Sequence, residues 1–351
     1  VNVPVVPSHE QAGTVSGVFE RLETLSIALL LVGIVAVFTV WAPSGTFLTR
    51  TNLENIALDT SQILILALGM TFLLIAAGID LSIGSIVVFA SVIGAKVMVA
   101  LAGTTAQVEN FQYPHLTLAL LGGVSAAVVV GAAWGVFNGV VSVKLRMPPF
   151  IVTLATLGIA LGIAQLLTGG LNVQNVPIPL QESFGLGSFA GLVPWPVVVA
   201  VGVTAALWIL LRRTRFGLRT YAIGANAEAV RRAGVNVDRH VISLYGLMGV
   251  LCGIVGVIEV SRFGTATIAG HQQDALAAIS AAVIGGTSLF GGRGRISGTI
   301  VGALIPAVLL NGFVIVGVEP FWQDVAVGSV LLVAVYLDQL RRRRSAVVQF
   351  V

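Results

Sequence analysis

The sequence predicts an all-α polytopic membrane protein with about ten transmembrane helices and both termini on the cytoplasmic side. Three observations carry this. Of the 351 residues, 56% are hydrophobic and 10% charged, with a mean hydropathy of +0.99, whereas soluble domains carry about 25% charged residues. The apolar residues form long continuous runs rather than the short alternating segments of a β-barrel. The cations are also sorted. With consecutive runs taken as spans and the N-terminus inside, 16 of the 19 Lys and Arg residues fall in cytoplasmic segments, as the positive-inside rule demands. The basic pI near 9.7 therefore reports topology and not nucleic-acid binding.

The runs follow in order. Residues 1–24 read as a polar, Pro-containing cytosolic tail, and residues 25–340 as the transmembrane domain. Leu25 to Ala42 is long for a signal-peptide core and has a weakly basic flank, so it reads as a retained first helix. Ile56 to Ile79 and Ile83 to Leu101 are the second and third runs, separated by Asp80-Leu81-Ser82. The fourth, Leu116 to Val143, stops at Lys144, Arg146 and the breaker pair Pro148-Pro149, and the fifth is Phe150 to Thr168. After a loop from Gly169 to Leu192 comes the sixth, Val193 to Leu211. A basic cytosolic loop, 212–241, holds seven arginines. Ile242 to Val260, the short Ala275 to Ile284, Ile296 to Val316 and Val325 to Leu337 complete the set. The basic residues Arg341 to Arg344 open a cytosolic C-terminal tail, 341–351.

Within the basic loop, Asn226 to Ala233 lacks Pro and Gly. It reads as a helix of about two turns, with Asn226 as N-cap and Gly234 as its stop. Such a helix on the cytosolic face is a surface for a soluble partner or simply an orienting loop.

Glycines at four-residue spacing mark helix faces that pack closely or line a path: Gly131, Gly135 and Gly139, then Gly158/Gly162, Gly249/Gly253 and Gly298/Gly302. Ionisable groups inside apolar runs cost about 2.5–3.5 kcal/mol each near a helix centre, so each needs a reason. Asp80 and Ser82 cap a helix break or contact a gate. Glu259 and Arg262, three apart, pair on one face. Lys96 snorkels outward. Asn138, Gln165 and Asn311 bridge helices or face a polar cavity. Asp80, Ser82, Asn138, Glu259 and Asn311 are thus the candidate pathway or gate residues.

There is no HExxH, no GxSxG and no metal-type Cys/His cluster, and the single cysteine, Cys252, lies in an apolar run. Gly286 to Gly291 has the Walker A gap, but Gly292-Arg293 follows in place of Lys-Ser/Thr. Neither catalysis nor ATP hydrolysis is expected of this chain, and no metal or cofactor of its own. A cation-driven secondary transporter would need an ion site, for which Asp80 and Glu259 are the membrane carboxylates on offer.

Four stretches resemble the permease subunits of bacterial ABC importers for monosaccharides, the ribose-type family. They are GMTFLLIAAGIDLSIGS (Gly69 to Ser85), PPFIVTLATLGI (Pro148 to Ile159), TRFGLRTYAIGANAEAVRRAGVNV (Thr214 to Val237) and DALAAISAAVIGGTSLFGGRGRISGTIVGA (Asp274 to Ala303). The likeness is collinear from about Thr24 to Leu340. It differs in the longer N-terminal tail and in the absence of a second Asn before Asn311.

The resemblance implies an ABC importer permease fold in the bacterial cytoplasmic (inner) membrane. It implies a second permease copy, a cytosolic ABC ATPase that binds ATP and Mg, and an extracytoplasmic sugar-binding protein. It also implies that Asn226, Ala227, Glu228, Val230, Arg231, Ala233 and Gly234 form the coupling helix that meets the ATPase. A branched-chain amino acid is the alternative cargo class.

Overall fold

The computed structural model describes residues 27–43 and 45–348. The expected N-terminal tail, 1–24, lies outside the described residues. The elements are α1 (Ile27–Trp41), α2 (Arg50–Ile75), α3 (Ile83–Ala102), α4 (Thr105–Glu109), α5 (Leu116–Lys144), α6 (Pro149–Thr168), α7 (Ile178–Leu180), a π-turn (Gln181–Gly185), the hairpin β1 (Ser188–Phe189) and β2 (Val193–Pro194), α8 (Trp195–Arg213), α9 (Arg215–Arg232), α10 (Val237–Phe263), α11 (Asp274–Ile284), α12 (Ile296–Ile315) and α13 (Pro320–Val348).

Seven helices, α2, α3, α5, α6, α8, α10 and α12, are long and apolar enough to cross a membrane, and α1, α11 and part of α13 are shorter apolar helices. Each corresponds to one apolar run of the sequence. The backbone of α13 continues through Arg341 to Arg344, so the basic C-terminal segment extends a helix.

The core is built by α2, α3, α10 and α11, with Phe72, Ile75, Ile83, Tyr245, Met248 and Ala281 essentially sealed from solvent. Two of the glycine rows explain why these helices come so close. A Cβ on Gly135 would strike the carbonyl of Tyr245, and one on Gly131 the carbonyl of Gly249, so α5 and α10 meet backbone to backbone. Gly298 and Gly302 do the same for α12 against Gly285 and Ala281. The fifth-run pair differs: Gly158 and Gly162 on α6 face open space. Regular spacing marks a face that can pack but does not supply the partner.

Two polar links hold more structure than expected. The 102–115 link contains α4, closed by a capping box between Thr104 and Gln107. The 169–192 link carries the first strand of the hairpin, whose second strand opens the expected sixth run, and Val173 pairs with Ala266.

Two helices start inside the bundle. The carbonyl of Ile75, at the end of α2, accepts a 2.8 Å hydrogen bond from the Gly292 amide in the glycine-rich turn. The chain then folds back through Ala77 (φ +60°), and α3 begins among fully buried residues, Asp80, Ser82 and Ile83. The Tyr245 hydroxyl donates to the Ile79 carbonyl at 2.9 Å. Eight residues separate Tyr245 from the start of α10, which places this point about 12 Å above the helix end. The 11 residues of α11 span about 16 Å, half of a hydrocarbon core of about 30 Å.

Candidate functional site

The basic loop holds a helix longer than the sequence reading. Thr214 caps α9, its hydroxyl accepting from the Phe216 amide at 3.1 Å. The helix breaks at Asn226 (φ −161°, ψ 93°), whose side chain accepts from the Ala229 amide at 2.9 Å and so caps the second half. Ala233 ends it, and Gly234 (φ +81°) takes the left-handed turn that a glycine adopts freely. The first half was unread because Gly217 and Gly224 interrupt it, and glycine is a poor helix former.

Of the residues singled out there, Asn226, Glu228, Arg231, Ala233 and Gly234 are exposed, and Ala227 and Val230 half-buried. Glu228 pairs with Arg231 at 3.1 Å and Arg232 at 3.3 Å. Exposed pairs of this kind are worth about 0–1 kcal/mol, so they shape a charged surface more than they stabilise it.

The other face of α9 is tied to the bundle. Tyr221 donates to the Gly294 carbonyl at 2.7 Å. Gly224 packs so tightly that a Cβ there would overlap the Ile75 carbonyl and lie 2.6 Å from the Gly292 nitrogen. Three backbones, α9, the end of α2 and the glycine-rich turn, thus meet at one point. The Thr220 hydroxyl and His240 Nε2, 2.8 Å apart, pin α9 to α10 as well.

A second cluster lies deeper. Asp80 Oδ1 accepts from the Ser82 amide at 2.8 Å and the Ser82 hydroxyl at 2.6 Å. Asn138 Nδ2 on α5 donates to Ser82 Oγ at 2.8 Å, with Asp80 Oδ2 at 3.5 Å. Asp80, Ser82 and Asn138 are all fully buried. The carboxylate sits at the entry of α3, where partial positive charge and unpaired amides favour it. Asp80 thus closes a tight turn onto Ser82 just before α3, and Asn138 bridges that turn to α5.

The remaining candidates part company. Glu259 and Arg262 do not pair with each other. Arg262 bonds Asp59 of α2 at 2.9 Å, and Glu259 Oε1 lies 3.4 Å from His271 Nε2. Longer-range partners with better geometry displace the local i,i+3 contact. The other His271 nitrogen, Nδ1, lies 2.7 Å from Asp274 Oδ2. Sequence reasoning missed His271 because a lone histidine in a polar link carries no spacing signal. Asn311 Oδ1 on α12 is buried without a hydrogen-bond partner among the described residues. Gln165 is exposed and bridges no helices among the described residues. Lys96 donates to the Leu167 carbonyl at 3.0 Å and so ties α3 to the end of α6. Asp80 and Glu259 belong to separate hydrogen-bonded groups, and among the described residues no cluster of His, Cys, Asp and Glu suits a metal ion.

Comparison with known proteins adds the family. A family model described as branched-chain amino acid transport system / permease component matches residues 52–335. The chain is 36% identical to the ribose import permease protein RbsC of Escherichia coli over 324 residues, covering 92% of this chain and 95% of the relative. It is 37% identical to the ribose import permease protein of Bacillus subtilis, covering 94% and 95%. It is 30% identical to the xylose transport system permease protein XylH of Escherichia coli, covering 94% and 96%. No solved structure matches the chain.

Proposed function

This chain belongs to the family of branched-chain amino acid transport system permease components, and on that premise we propose that it is the membrane-spanning permease of an ATP-driven importer for a monosaccharide. The sugar class rests on relatives of near-equal length that are named as ribose and xylose permeases. Their names favour a sugar over a branched-chain amino acid and an ABC permease over a cation-driven carrier. The chain is a transport component, resident in the cytoplasmic membrane, that works with an ATPase and a substrate-binding protein. ATP and Mg bind to the ATPase.

The single observation that supports the coupling role is the junction at Gly224. The half of α9 from Asn226 to Gly234 is exposed and capped at both ends, while its N-terminal half is locked to α2 and the glycine-rich turn. Ala227, Glu228, Val230, Arg231 and Ala233 are the residues we assign to the ATPase. Two permease copies form the path. Closure of the ATPase pair moves the two α9 helices together and, through Ile75 and Gly292, moves the start of α3.

Co-purification from native membranes tests the partners. A bound ATPase whose turnover rises with one sugar-loaded binding protein is the expected result. A chain that purifies alone and moves solute into liposomes without ATP would overturn the reading. Ala233→Glu tests the surface: Ala233 is exposed and ends the helix, so the chain should reach the membrane at normal levels while sugar-stimulated ATP hydrolysis is lost. Normal stimulation in this variant would remove the α9 surface from the coupling path.

A further inference from the structure

We propose that the Glu259–His271–Asp274 cluster, with the amides of Gln62 and Gln273, is a hydroxyl-binding point for the sugar along the path. It deepens the transport reading and rests on it.

The first argument is depth. The start of α11 lies about half-way through the hydrocarbon core, because its 11 residues cover only about 16 Å before the cytoplasmic glycine-rich turn. Residues 264–273 that lead into it are irregular backbone. They are packed against the first turn of α3, where a Cβ on Gly84 would overlap the His271 carbonyl. Irregular backbone at this depth occurs only where protein buries it or water fills a cavity beside it. Gly270 and Gln272 are exposed, which fits the wall of a cavity.

The second argument is chemistry. Both His271 nitrogens face carboxylate oxygens, Nδ1 toward Asp274 and Nε2 toward Glu259. Ionised carboxylates only accept, so the imidazole that satisfies both carries both protons. The cluster holds two carboxyl groups for one imidazole. An excess of carboxyl oxygens disfavours phosphorylated or carboxylated solutes and accepts hydrogen bonds from hydroxyls. Neutral polyols are the matching class.

The third argument is the unpaired amides. Gln273 Oε1 and Gln62 Nε2 are buried and have no hydrogen-bond partner among the described residues. Gln62 is 9% exposed and lies one turn inward from Asp59, the partner of Arg262. Glu259 lies one turn inward from Arg262. On these facing, antiparallel helices, Gln62 and Glu259 therefore stand at the same level. One unfilled donor at the level of Glu259 and one unfilled acceptor on the residue before Asp274 suit a hydroxyl, which supplies both roles.

The experiment uses the whole importer in liposomes, with ATP at the ATPase and saturating loaded binding protein. Initial uptake is measured for the transported sugar and its monodeoxy analogues. Gln273→Ala and Gln62→Ala should each slow the parent sugar roughly ten-fold, the scale of one hydrogen bond. In each variant at least one deoxy sugar should no longer be slower than the parent. Gln273→Glu, which keeps an acceptor, should restore the wild-type ranking. A uniform fall for every sugar at normal membrane levels would mean that the amides only hold the fold, and would overturn the site while leaving the importer reading intact. A wild-type importer that moves no sugar would overturn both.

Discussion

At Asp80 one carboxylate closes the turn that leads into α3. Its Oδ1 takes both the amide and the hydroxyl of Ser82, and Ser82 itself makes no side-chain cap bond to α3. Asparagine keeps an acceptor at this position, and leucine does not. Asp80→Leu strands two buried donors at about 1–3 kcal/mol each, so it should lower thermal stability in detergent far more than Asp80→Asn. Equal losses in the two variants would make the charge, and not the acceptor, the essential property. This residue was legible in the sequence because Gly78-Ile79-Asp80 interrupts two apolar runs. Glu259 and Arg262 were misread for the complementary reason. Helical spacing sees only partners on the same helix, and Asp59 lies 203 positions away in the chain.

At the level of elements, the same sequence mark has opposite meanings on two helices. Gly135 on α5 and Gly158 on α6 each belong to a row of glycines four apart. A methyl on Gly135 runs into the Tyr245 carbonyl, a backbone atom that cannot move without shifting α10. A methyl on Gly158 meets nothing within 4 Å. Gly135→Ala should therefore destabilise the α5–α10 pair, with a cost on the scale of an overpacked core, about 1–3 kcal/mol. Gly158→Ala should leave the melting temperature of the detergent-solubilised chain unchanged. A marked loss for Gly158→Ala would show that α6 packs more closely than its open face in this chain. The rows predicted the packing surfaces; which surfaces found a partner depends on tertiary arrangement, which spacing does not encode. The same limit applies to α9. Its cap at Asn226 was readable, while its first half, held by contacts to Gly292 and Gly294, was not.

For the whole molecule, orientation and depth come from different physics. Charge sorting orients the chain, since basic residues resist transfer across the membrane, and that signal is plain in the sequence. Depth depends on where helices begin, and α3 and α11 begin inside the bundle because their neighbours satisfy the freed backbone groups there. A short apolar run cannot announce this. The orientation is testable with the chain's one cysteine, Cys252, which is fully buried. In a Cys252→Ala background, Glu228→Cys on α9 and Glu109→Cys on α4 each place a thiol at an exposed position. In sealed vesicles of known sidedness, a membrane-impermeant maleimide should label Glu228→Cys only from the cytoplasmic side and Glu109→Cys only from the outer side. Labelling of Glu228→Cys from outside would invert the topology. The α9 surface would then be out of reach of any cytosolic ATPase, and the mechanical junction at Gly224 would need another purpose.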